Sequence, residues 1–71
     1  MNALEVEALA KELRKHAQRC RRDRDYRTPG GMSRTYFANR LKQWARSVVH
    51  AEPSYVQSMQ DMLREIEEMN P

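Results

Sequence analysis

Thr28-Pro29-Gly30-Gly31-Met32-Ser33 is the stretch on which the fold turns. Pro29 disfavours helical geometry at Thr28, and the paired glycines permit positive φ. Ser33 then offers a hydroxyl to cap a helix starting at Arg34. Helical periodicity lies on both sides of this break. Upstream, Val6, Leu9, Leu13, Ala17 and Cys20 recur every three or four residues. That stripe predicts a helix over about residues 3–24, about 33 Å long. Asn2 is its expected cap, with Glu5 as capping-box partner, and Leu4 falls off the stripe. Downstream, Phe37, Leu41, Trp44, Ala45 and Val48 predict a helix over residues 34–50.

A second break follows at Glu52-Pro53-Ser54, because proline is tolerated only near a helix start. Ser54 and Gln57 read as a second capping box, opening a helix over residues 54–69. Tyr55, Val56, Met59, Met62, Leu63, Ile66 and Met69 make the most regular apolar stripe in the chain. No repeat, strand-like alternation or low-complexity tract interrupts this pattern. The expectation is an all-α fold: one domain over residues 1–71, a three-helix unit with a long first helix. A chain of this length buries only about 60% of its unfolded surface, and Cys20, as the single cysteine, cannot form an intrachain disulfide. A second subunit is one remedy. Tyr55, Met59, Met62, Ile66 and Met69 follow the 4-3-4-3 rhythm of a coiled-coil seam. They are the expected dimer or partner interface, and the unit is expected to assemble as a homodimer.

Net charge is +3, but its distribution is uneven. Residues 1–13 sum to −2, residues 14–46 to +9 and residues 47–71 to −4. In the middle segment arginine outnumbers lysine nine to two. Concentrated Lys and Arg is the footprint of phosphate neutralisation, and the guanidinium fork suits phosphate and base edges. On the first helix Lys11, Lys15, Arg19 and Arg22 lie opposite the apolar stripe. On the second, Asn39, Lys42, Gln43 and Arg46 share a face, and their amides are of the type that pairs with adenine edges. With Arg34, these are the candidate residues for binding nucleic acid or an acidic protein surface. Two blander readings compete: the charges solvate the surface, or they pair with the acidic third helix.

Catalysis finds no support, since no phosphate loop, Ser/His/Asp arrangement or paired-carboxylate signature appears. Neither a cofactor nor a small-molecule substrate is expected. His16 and Cys20 stand at i and i+4, a spacing open to metal ligation, but a closed zinc site needs four ligands. A buried thiol beside a core-edge imidazole explains them better, and no metal is expected. The start of the chain lacks a basic leader followed by an apolar run, and no stretch approaches a membrane span. A cytoplasmic location is expected. The leading function is a small non-enzymatic regulator that binds DNA. The alternative is an inhibitor or adaptor docking on an acidic or apolar surface of an enzyme or transcription factor. Tyr26 and Tyr36 flank the glycines, placed either to stack on a base or to seal the loop.

Gly31-Met32-Ser33-Arg34-Thr35-Tyr36-Phe37, with Leu41 and Lys42, resembles the turn and recognition helix of helix-turn-helix regulators. The resemblance covers roughly a dozen residues, and departs from the pattern where Arg27 replaces a small residue and Pro29 interrupts the first helix. It implies groove-facing roles for Ser33, Arg34, Thr35 and Asn39.

Overall fold

The computed structural model describes residues 2–71. It contains α1 (Ala3–Arg22), one 3-10 turn (Pro29–Gly31), α2 (Arg34–Val48) and α3 (Pro53–Met69). Among the described residues there is no strand. None of the helices is long and apolar enough to cross a membrane.

Each helix begins where side-chain chemistry can hold its first turn. Asn2 Oδ1 accepts from the Glu5 amide at 2.9 Å. Ser33 Oγ accepts from the Tyr36 amide at 3.2 Å. The third start differs from the expected Ser54–Gln57 box. Glu52 is the cap, extended at φ −69°, ψ 156°, and Pro53 occupies the first helical position. Proline's steric restriction on Glu52 does the work there, while Gln57 Nε2 donates to Asp61 Oδ1 at 3.1 Å.

The first helix ends at Arg22, earlier than its periodicity suggests. Asp23 is extended, and its Oδ1 accepts from the Asp25 amide at 2.9 Å. The decisive group is distant in sequence. Arg34 Nη1 donates to the carbonyls of Cys20, Arg21 and Asp23 at 3.2, 3.3 and 2.9 Å. Those of Cys20 and Arg21 are among the carbonyls a helix end leaves unpaired, and that of Asp23 also accepts from the Tyr26 amide at 3.1 Å. In return the Cys20 thiol donates to the Arg34 carbonyl at 3.2 Å. Gly30 and Gly31 turn the chain at φ 65° and 72°, a left-handed region costing an L-residue roughly 1–2 kcal/mol.

Helices α1 and α2 run antiparallel along their lengths. Arg21 reaches Asn39 at one end, and Ala10 shares a cleft with Val49 at the other. Helix α3 lies parallel to α1: Val6 borders Pro53 and Val56, and Arg19 reaches Asn70. Leu9, Leu13, Phe37, Leu41, Val48, Val56, Met59 and Ile66 fill the core, with Ala10, Ala17, Ala38 and Ala45 also buried. Phe37 meets Tyr26 on one side and Trp44 on the other, at centroid distances of 6.4 and 6.0 Å.

The expected interface on α3 is thereby divided. Met59 and Ile66 are buried in the core of the same chain, so they are not available to a partner. Val56 and Ile66 centre the buried face, and Met59 shares it. Tyr55, Met62 and Met69, one heptad apart, remain half-buried along its edge.

Asn70 closes the bundle. Its Oδ1 accepts from the Arg27 amide at 2.7 Å, and its Nδ2 donates to the Arg27 and Ile66 carbonyls at 3.0 and 2.9 Å. The side chain thus pairs with the connection as a neighbouring strand would. Asn70→Ala leaves partly buried backbone groups unpaired and should cost about 1–3 kcal/mol. The loss will register as a lower urea midpoint at an unchanged slope.

Candidate nucleic-acid interface

Helix packing regroups the basic residues. Along α1, the row flanking buried Ala10 and Ala17 carries Arg14, Gln18 and Arg21. Along α2, the row flanking Ala38 and Ala45 carries Asn39, Lys42 and Arg46. The antiparallel pairing sets these rows on either side of one seam. Arg14, Gln18, Lys42 and Arg46 line a cleft of about 180 Å³ over Ala45. Further along, Arg14 and Lys11 border a second cleft with Leu4, Glu7, Ala10 and Val49. At the other end Arg21 Nη2 donates to Asn39 Oδ1 at 2.8 Å.

Of the sequence candidates, Lys11, Asn39, Lys42 and Arg46 therefore come together. The others do not. Lys15 and Arg22 are exposed on the outer face of α1, and Lys15 pairs with Glu12 at 3.4 Å. Arg19 is half-buried on the side toward α3, stacked over Tyr26 at 5.8 Å and donating to the Asn70 carbonyl. Gln43 lies on the outward face of α2, its carbonyl accepting from Ser47. Arg34 is committed to closing the end of α1, which removes it from a nucleic-acid face. The sequence reading missed Arg14, Gln18 and Arg21. They flank the apolar stripe instead of opposing it, and their only signal was proximity to the small residues Ala10 and Ala17.

A helix-turn-helix arrangement is not formed. That motif sets two helices at about 90–120° across a turn of three or four residues. Here residues 23–33 connect two helices lying side by side. Ser33 is spent on capping and Arg34 on α1.

Internal neutralisation of the basic segment by the third helix is not what the packing produces. Among the described residues, the ion pairs within 4 Å are Lys15–Glu12 and Arg64–Asp61, each within one helix. The acids collect elsewhere. Glu5, Glu12 and Glu67, with Arg64, line the cleft between α1 and α3. Helix α1 is thus a ridge with a cationic seam on one flank and a mainly acidic cleft on the other.

Beneath the ridge, His16 and Cys20 are both buried. His16 Nδ1 hydrogen-bonds the Tyr26 hydroxyl at 2.9 Å, edge-on to its ring. Tyr26 seals the connection against the core, whereas Tyr36 is 53% exposed. Burial pushes the Tyr26 hydroxyl up to about 12 and raises the Cys20 thiol. It lowers His16 below 6.5, with Arg19 acting in the same direction and Glu67 and Glu12 opposing. The folded chain therefore favours the neutral imidazole, and the unfolded chain binds the proton more readily. This contribution to stability is complete above about pH 6.5 and declines as pH falls below it. Denaturation midpoints followed from pH 7.5 to 5 should show that decline, and His16→Gln should flatten it. Tyr26→Phe should lower stability by about 1 kcal/mol at neutral pH.

No known protein family, curated protein or solved structure matches this chain, so the site is read from its own geometry.

Proposed function

We propose that the protein is a small non-enzymatic regulator that binds nucleic acid through the α1/α2 seam. The observation carrying this reading is the convergence of Lys11, Arg14, Arg21, Lys42 and Arg46 on one face with no carboxylate within ion-pair distance among the described residues. Holding like charges together opposes folding, and a polyanion relieves that opposition by neutralising them. Five such contacts give a salt dependence few other partners match. The regulator works in the cytoplasm as a homodimer, joined along the half-buried edge of Tyr55, Met62 and Met69.

A second reading is favoured by that same edge. Half-exposed methionines beside a tyrosine form an adaptable apolar strip. Together with exposed Tyr36 they suit an inhibitor or adaptor docking on an acidic or apolar surface of an enzyme or transcription factor.

Fluorescence anisotropy with a labelled mixed-sequence duplex and its single strand separates the two. The nucleic-acid reading expects micromolar or tighter binding at low salt, weakening roughly 10²- to 10³-fold between about 50 and 200 mM. No binding at low salt, together with a nuclease-resistant stoichiometric protein complex, would establish the second reading instead.

A further inference from the structure

Resting on the nucleic-acid reading, we infer that the cleft between α1 and α2 is a seat for one backbone phosphodiester, and that the seam tracks phosphates without reading bases. The cleft has the chemistry of an anion site. Arg14 enters from α1, Lys42 and Arg46 from α2, and Gln18 adds an amide N–H. Its floor is Ala45, buried and apolar, so no acidic group competes from below. Three cations from two rigid helices converge on about 180 Å³, room for a phosphate and its first waters.

The neighbouring cations extend the seat into a track. Lys11 stands one turn before Arg14 on α1, and Arg21 two turns after it. At 1.5 Å per residue, Lys11 to Arg21 spans about 15 Å. That length matches a short run of consecutive backbone phosphates.

Base reading fails for three geometric reasons. Asn39 Oδ1 accepts from Arg21 Nη2 at 2.8 Å, a bond that ties the amide to α1 and turns it from the alignment that bidentate pairing with adenine needs. Gln43 sits on the outward face of α2, away from the seam. A major groove admits one helix of about 10–12 Å diameter. Two helices packed side by side, about 8–10 Å apart between axes, present a surface too broad to enter it. The pair instead lies across the backbone.

The test uses the full chain and two probes. Anisotropy with labelled single strands of different sequence is measured for wild type, for Arg14→Gln/Arg46→Gln, and for the charge-matched Arg24→Gln/Arg64→Gln. Circular dichroism confirms that each variant folds. The seat predicts that the first variant binds at least roughly 10-fold more weakly, with a salt slope shallower by about 1.4. The second variant should lose far less, and affinity should vary little among strand sequences. In parallel, inorganic phosphate is titrated while amide resonances of Gln18 and Ala45 are followed. Equal losses in the two variants overturn the seat while leaving nucleic-acid binding intact. Strong sequence preference overturns the backbone-tracking half. Phosphate shifts at Gln18 and Ala45 with no strand binding would overturn the nucleic-acid reading and leave the seat as a site for a small phosphate ester. Neither probe binding overturns both.

Discussion

The close apposition of α1 and α2 through Ala10, Ala17, Ala38 and Ala45 is the constraint on which the rest of the molecule depends. Small side chains on both helices let the rows beside them approach, and those rows are cationic. Their mutual repulsion is modest where water reaches them: about 0.5 kcal/mol per pair at about 8 Å, reduced further by salt. Burial of one large apolar side chain contributes about 1.5–3 kcal/mol. Leu13, Phe37, Leu41 and Val48, essentially excluded from water, outweigh the charges by a wide margin. The fold therefore holds a concentrated positive surface in place, with Glu7 at one end of the seam and, among the described residues, no carboxylate within ion-pair distance of its cations.

Apolar burial does not by itself fix the long connection, which carries little of the core. Polar groups do that. Arg34 closes the carbonyls of α1, His16 holds the Tyr26 hydroxyl, and Asn70 pairs with the Arg27 backbone. Each links the 23–33 segment to a different helix. Among the described residues no buried side-chain nitrogen or oxygen lacks a partner, so the network costs no unpaired desolvation. The arrangement also explains why so short a chain can spend residues on polar contacts: one well-placed side chain satisfies several backbone groups at once.

Charge segregation follows from the same packing. Helix α1 supplies a residue row to each neighbour, Arg14 and Arg21 toward α2, Glu5 and Glu12 toward α3. A polyanion approaching the bundle meets attraction on one flank of the ridge and repulsion on the other. The two flanks thus carry fields of opposite sign, a long-range effect that short-range pairing within helices does not cancel. The aromatic run His16, Tyr26, Phe37 and Trp44 braces the structure beneath, with Arg40 stacked 5.3 Å over Trp44 at its outer end.

The sequence by itself determined three helices, two breaks and most of the core, because periodicity and capping are local and Pro29, Gly30, Gly31 and Pro53 act through their own backbone restrictions. It also determined that the middle of the chain is strongly basic. Which cations share a surface was decided only by tertiary structure. A helical wheel ranks residues by their angle from the apolar stripe, so it selected Lys15 and Arg22, which are exposed away from the neighbouring helices. The seam is built from flanking rows, and which flank meets a neighbour depends on how helices pair. Arg34 and Arg19 carried the charge of ligand-binding residues yet were taken by carbonyls distant in sequence, just as Met59 and Ile66 were taken by the core. Asn70 gave no local sign of its role. Its partner lies across the fold, and only the packed bundle brings the two together.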